Sequence, residues 1–364
     1  MTAIASTKQR GAFPTTLTGP GDATLWWSAG LALLSVRFIQ GFIYWGGGSR
    51  RFIYAPSKLD PSAHTWMANK FQTAMPGALL GMDHVISFML QHFYVLYAGV
   101  ILFSAAELIV GVMLMAGFMT RAAAVTSMGL SVVLMLMFGW QGATCIDEWT
   151  MAACNLAMGA TLTMGGAGAY SIDRRLLARH PGLAETGWFR WASGALPLNL
   201  GKDTLRKVGL AVFACVAVFN VATYSYYRGS VVTPFHGGPV SPTKHHLTLD
   251  NASIDKAGIV RFHVYLDAGT PEAPVHVVTA ALLDAGHRPV GGWSTPVLSA
   301  MPKTAFANDY AYNKFGTGPF GIKAPMGAKA TITLPQLSNG TTSRAAYVQL
   351  VDVDGSQFTA PLAR

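Results

Sequence analysis

Cys145 and Cys154 are the residues of this chain best suited to sulfur chemistry. A thiolate is a soft nucleophile that can attack or receive sulfur. Their nine-residue spacing fits no standard metal or dithiol motif, and each alone also reads as a small packed hydrophobe. Cys215 sits centrally in another apolar stretch and reads as core filler. Arg50 and Arg51 follow Gly46, Gly47, Gly48 and Ser49. Guanidinium groups offer several fixed donors to an oxyanion, so the pair is a candidate anion receiver, with lipid-headgroup contact as the plainer alternative.

Two charges lie deep in apolar stretches. Arg37 is near the middle of one and Glu107 near the middle of another. Charge at that depth is costly unless paired, which predicts an Arg37–Glu107 ion pair at similar depth. Arg37 then offers a deeper positive site and Glu107 a proton carrier, while a purely structural clamp is the alternative. Asp147 and Glu148 open a helix, where carboxylates suit the positive end of the dipole. Asp147 is also a candidate for proton exchange, as is His92, just ahead of an apolar stretch.

These residues need a membrane scaffold to position them. The 364 residues are 51% hydrophobic and only 12% charged, against about 25% charged in an average soluble domain. Five stretches are long and apolar enough to cross a bilayer: 25–46, 93–116, 122–140, 148–166 and 208–227. The first 23 residues lack the apolar core of a signal peptide, so the first span acts as an uncleaved anchor. Lys8, Arg10, Arg121 and seven basic residues from Arg174 to Lys207 place ten cations on one side, against Arg50, Arg51, Lys58 and Lys70 on the other. That bias puts the amino terminus in the cytoplasm and, with five spans, the carboxyl-terminal part in the periplasm of a bacterial inner membrane. The net charge of +9 therefore reads as membrane orientation rather than nucleic-acid binding, because the cations sit in loops beside apolar spans.

The predicted fold is a five-helix membrane bundle, N-in and C-out, followed by an antiparallel β-sandwich-like domain. Its segments are a cytoplasmic 1–24, a four-helix membrane domain 25–195, a linker and fifth span 196–228, and a periplasmic β-domain 229–364. The loop 47–92 carries one helical stretch, 63–75, which either lies on the membrane surface or packs as a cap over the bundle. After residue 229 short β-rich runs at 246–251, 259–267, 275–283, 330–334, 345–352 and 357–360 alternate with Gly and Pro. Asp354-Gly355 marks a hairpin. Three cysteines without CxxC or CxxCH exclude a disulfide framework, a zinc ribbon and covalent haem. The glycines of 165–170 end a span rather than follow a strand, so they are no dinucleotide fingerprint. No metal, haem or flavin is predicted.

Residues 106–124, with Glu107, Gly111, Gly117, Thr120 and Arg121, resemble the second-span signature of the DoxX-like membrane family. Val36-Arg37 through Gly41 resembles its first-span signature, and the carboxyl-terminal part is similar to a DoxA subunit. In this order the whole resembles the fused DoxD/DoxA type of thiosulfate:quinone oxidoreductase. The resemblance implies two thiosulfates joined into tetrathionate, two electrons passed to an exchangeable membrane quinone, and no tightly bound metal or flavin. Arg37, Arg50 and Arg51 would bind the anion, Cys145 or Cys154 would carry sulfur, and Glu107, His92 and Asp147 would handle quinone protons. A sulfur-oxyanion transporter and a quinone-linked anchor subunit are the alternatives. The β-domain would lid the site, bind a partner or hold a homodimer together.

Overall fold

The computed structural model describes residues 20–141, 148–168, 170–228, 244–337 and 343–363, without the side chains of 20–27 and Arg228. The helices are α1 (Pro20–Ser49), α2 (Met67–Ala74), α3 (Met82–Gln91), α4 (Phe93–Ala116), α5 (Thr120–Phe138), α6 (Glu148–Gly165), α7 (Ile172–Arg179), α8 (Gly187–Ala192), α9 (Lys202–Arg228) and α10 (Thr295–Ser299). The strands are β1 (His246–Ile254), β2 (Val260–Ala268), β3 (Val275–Leu283), β4 (Pro289–Trp293), β5 (Phe306–Asn308), β6 (Gly316–Gly318), β7 (Gly321–Ala324), β8 (Lys329–Thr333), β9 (Tyr347–Asp352) and β10 (Gln357–Pro361). The chain forms two compact units: Met1–Gly48, Ala106–Gly129 and Asn155–Val216 in the first, the rest in the second.

Among the described residues, four helices are long and apolar enough to cross a membrane: Ser28–Tyr54, Phe93–Ala116, Thr120–Phe138 and Lys202–Tyr227. The expected stretch 148–166 is α6, a helix of 18 residues, or about 27 Å at the helical rise, and it is not among these four. It is less apolar because it carries Thr150, Asn155, Thr161 and Thr163. The hydroxyls of Thr161 and Thr163 return to carbonyls one turn back, which removes their need for water.

In the first unit, glycines let α1 and α4 approach backbone to backbone. A Cβ at Gly111 would stand 2.3 Å from the Trp45 nitrogen and 2.7 Å from the Gly41 oxygen. Small residues at such crossings allow the close packing that replaces hydrophobic drive inside lipid. The Gln40 amide donates to Ser127 Oγ at 3.0 Å and to the Asn155 oxygen at 2.8 Å, tying α1 to α5 and α6.

The ends of these helices are closed by two buried charges. Asp173 accepts from the backbone nitrogens of Met119 at 2.8 Å, Thr120 at 3.1 Å and Gly194 at 2.8 Å, and from the Thr120 hydroxyl at 3.1 Å. It thereby caps the start of α5, where a carboxylate meets unsatisfied N–H groups and the positive dipole end. Arg121 does the complementary work, donating to the carbonyls of Thr163, Arg190, Ser193 and Leu196.

In the second unit, β1-β2-β8-β5 form one antiparallel sheet and β10-β9-β3-β7-β6 another, with β4 pairing β3. Alternation buries one side of each long strand: Val260, Phe262, Val264, Leu266 and Ala268 of β2 all point inward. Both sheets share one core, which Trp140 and Tyr227 also join. The predicted strands and the Gly355 hairpin are present. Strands β4 to β7 are three to five residues long, too short for alternation to show in sequence.

The helix expected in the external loop is α2, and it packs inside this unit rather than lying free on a surface. It buries Met67, Ala68, Phe71, Gln72 and Ala74. The buried Gln72 amide reads backbone on both sides. It donates to Asn313 O at 2.8 Å and Gly327 O at 2.9 Å, and accepts from Asn313 N–H at 2.8 Å.

The Gly111 crossing supplies a test of the bundle. Gly111→Val places a side chain against backbone, where overpacking costs about 3 kcal/mol or more, and lowers the thermal midpoint in detergent. Gly129→Ala meets nothing within 4 Å and leaves the midpoint unchanged. Equal midpoints for both variants would contradict the crossing.

Candidate anion-binding site

The glycine-rich end of α1 runs into a π-helical turn over Arg50–Tyr54, closed by the Ala55 nitrogen on the Arg50 oxygen at 2.5 Å. Such widened turns recur at functional sites. This one carries Arg50 outward and leaves Arg51 half-buried, its guanidinium donating to Ser104 Oγ at 3.4 Å. The next turn, Pro56–Leu59, brings Lys58 back toward them. Burial, then the charges of Arg50, Arg51 and Lys70, hold the Lys58 ammonium below the ordinary lysine range. Four cations from three elements therefore gather in one region of the second unit.

Lys70 also lines a cleft of about 580 Å³. Its walls include His64, Asn69 and Thr73 from the α2 region, Gln141 and Glu148, and Glu272, Tyr312 and Asn313 from the β-domain. Lys70 Nζ lies 2.5 Å from Glu148 Oε1. Burial raises the Tyr312 phenol, which keeps it a neutral donor at ordinary pH. Gln141 is 4% exposed, and its amide nitrogen has no hydrogen-bond partner among the described residues. A buried donor without an acceptor costs free energy, and it suits a cleft that receives an oxyanion.

The structure distributes the remaining sequence candidates differently. Arg37 is buried, and it donates to the carbonyl oxygens of Ala167 and, at 2.6 Å, Tyr170. The expected pair with Glu107 does not form. Glu107 lies beside Gly47, where a Cβ would be 3.3 Å from its carboxylate. Gly47 is ten residues along α1 from Arg37, or about 15 Å at the helical rise. The carboxylate whose charge reaches Arg37 is Asp173. Equal depth in sequence could not show that each charge faces a different level of its neighbour.

His92 ends α3, exposed, with Nδ1 2.8 Å from the Phe88 oxygen. Cys154 is exposed on α6, turned away from the buried Asn155 that meets α1. Cys145 and Asp147 lie outside the described residues. They belong to the segment 142–147, whose flanking residues Gln141 and Glu148 both line the cleft. Lys58 and Lys70 entered the sequence reading only as loop charges, and Gln141 did not enter at all. Only their shared loop with Arg50 and Arg51 could have suggested the cluster. Among the described residues, no group of three or more His, Cys, Asp or Glu is arranged to hold a metal.

Fold and site define a helical membrane protein with a carboxyl-terminal antiparallel β-domain and a clustered basic region. Residues 32–198 match the family model described as TQO small subunit DoxD, and residues 227–360 match TQO small subunit DoxA. The two segments together take in most of the chain, and it belongs to these thiosulfate:quinone oxidoreductase subunit families, with DoxD and DoxA fused in one polypeptide. No solved structure matches it.

Charge repulsion at Lys58 gives a direct measurement. Arg50→Gln with Arg51→Gln removes two of the three repulsive neighbours. The neutral, reactive amine then forms only at higher pH. Amine labelling followed against pH by peptide mass spectrometry should show the Lys58 curve moving upward, and an unmoved curve would separate the arginines from Lys58.

Proposed function

We propose that this protein oxidises thiosulfate to tetrathionate at the periplasmic face and passes the electrons to membrane quinone. Two thiosulfate dianions lose one electron each and join through a new sulfur–sulfur bond. The quinone takes the two electrons and two protons to become quinol. The observation that carries this reading is the clustering of Arg50, Arg51 and Lys70 around Lys58, with Lys70 lining a polar cleft, in a chain built from DoxD and DoxA.

The four cations, one of them bridged to Glu148, offset most of the formal charge of two thiosulfates. They raise the local anion concentration and lessen the repulsion between two dianions that must touch. Inside the cleft, the Gln141 amide and the Lys70 ammonium supply donors. Cys145 is three residues before Glu148, a residue of that wall, in the sequence. Its thiolate bonds to the outer sulfur of one thiosulfate as two electrons leave for quinone. A second thiosulfate then displaces tetrathionate and regenerates the thiolate. Cys154 is exposed on α6, and with α6 read as a membrane crossing its outer face meets lipid rather than a dissolved dianion, so the sulfur role is given to Cys145.

Arg37 already serves two carbonyls, so the anion role is given to the outer cluster. Glu107, His92 and Asp147 are the groups assigned to quinone protons. Counting α6 as a crossing gives five spans, and the excess of basic residues beside the amino-terminal side then faces the cytoplasm.

Purified full-length protein, thiosulfate and a soluble quinone analogue test this together. Quinone reduction and tetrathionate formation should run in a one-to-one ratio. Arg50→Gln with Arg51→Gln should raise KM for thiosulfate more than tenfold, since each charge-assisted contact contributes about 1.5–3 kcal/mol, with a smaller change in kcat. Cys145→Ser should abolish turnover. Full activity in that variant would replace the thiol route with direct coupling of two bound thiosulfates. Thiosulfate uptake into proteoliposomes without quinone reduction would overturn the enzyme in favour of a transporter.

A further inference from the structure

A second basic surface lies in the first unit, and the thiosulfate chemistry does not use it. Between residues 170 and 207 seven basic residues face three acidic ones, and one of those three, Asp173, is fully buried. The segment is folded, not loose. Leu177 of α7, Ala184, Phe189 of α8 and Ala195 share a small core. Ser171 caps α7 through the Arg174 nitrogen at 3.1 Å. Asp173 fastens α7 to the turn between α4 and α5, and Arg121 fastens the α8 end to α6.

With the inner faces so occupied, the outer faces are unusual. On α7, Ile172, Arg175 and Arg179 are exposed at spacings that share one face. On α8, Trp188 and Trp191 lie one turn apart and are 60% and 57% exposed. Just beyond, Lys202 and Arg206 share one exposed face at the start of α9. Two exposed indoles on α8, which shares a small core with the arginine-bearing α7, are costly in water. They fit the bilayer interface, where indoles settle at the headgroup level and arginine grips phosphate with several donors. The platform also sits where such a layer must be. It joins the end of α6 to the start of α9 and is bonded to the turn between α4 and α5.

We propose that α7 and α8 form a docking surface for anionic phospholipid, with Arg175 and Arg179 holding the phosphodiester and Trp188 and Trp191 sunk beside it. The occupant is a lipid rather than a soluble anion, because the same surface presents apolar rings that only acyl and glycerol groups would cover. Charge selects anionic over zwitterionic headgroups, and the indoles contribute depth without selectivity.

The test uses the full chain in detergent with an equal mixture of dioleoyl phosphatidylglycerol and dioleoyl phosphatidylcholine, read by native mass spectrometry. The wild type should retain phosphatidylglycerol in clear excess. Arg175→Gln with Arg179→Gln should reduce that excess about thirtyfold, from the usual headgroup contribution of two basic residues. Trp188→Ala with Trp191→Ala should lower retention of both lipids and leave their ratio in place. Arg175→Lys with Arg179→Lys keeps the charge and should keep most of the excess. Arg288→Gln, on the β-domain, should change nothing. Equal retention of the two lipids by the wild type would overturn the proposal. So would an unchanged ratio in the double glutamine variant, or an equal loss in Arg288→Gln.

Discussion

The carboxylate of Asp173 accepts four hydrogen bonds, three from backbone nitrogens, while fully shut off from solvent. A membrane helix cannot leave its terminal N–H and C=O groups unpaired, because hydrocarbon offers no partners. Asp173 satisfies the donors at one set of ends, and Arg121 and Arg37 satisfy acceptors at others. Three buried charges thus stand where three flexible loops would otherwise be. Their mutual attraction is secondary. What fixes the geometry is that each charge is bonded to backbone groups from segments distant in sequence, so none can move without exposing several polar atoms.

That constraint divides the basic residues into two kinds. Arg37 and Arg121 are consumed by carbonyls and are parts of the scaffold. Arg50, Lys58 and the platform arginines are held at surfaces, where their charge acts outward. Lys58 shows the difference in its own protonation: burial first, and then the like charges of Arg50, Arg51 and Lys70, make it give up a proton more readily.

The β-domain gains its function from where its loops fall. Its core is closed by the two sheets, and its recognition of α2 runs through the Gln72 amide and the backbone of Asn313 and Gly327. Gly327 has a φ of +78° and would place a Cβ 2.0 Å from the Gln72 oxygen. Only glycine permits that approach. The same contact brings Asn313 and Tyr312 to the cleft beside Lys70. Membrane-proximal loop and β-domain therefore build one wall together, which fits their occurrence in a single polypeptide.

Sequence by itself determined the parts that depend on local pattern. Long apolar runs specify the membrane helices, period-two alternation specifies β1, β2, β3, β8, β9 and β10, and Asp354-Gly355 specifies their hairpin. These are short-range consequences of burial and backbone geometry. The motif around Glu107 and Gly111, with the DoxA-like tail, also sufficed to show the family. Tertiary structure decided which charge meets which partner. Arg37 and Glu107 share a depth in sequence, yet helix rotation and stagger give one to backbone carbonyls and the other to a place beside Gly47. Lys58, Lys70 and Gln141 became site residues only when a turn, a helix and a loop converged. Hydrophobic pattern fixes which face of a helix is buried, but the partner it finds there is set by packing across the whole chain.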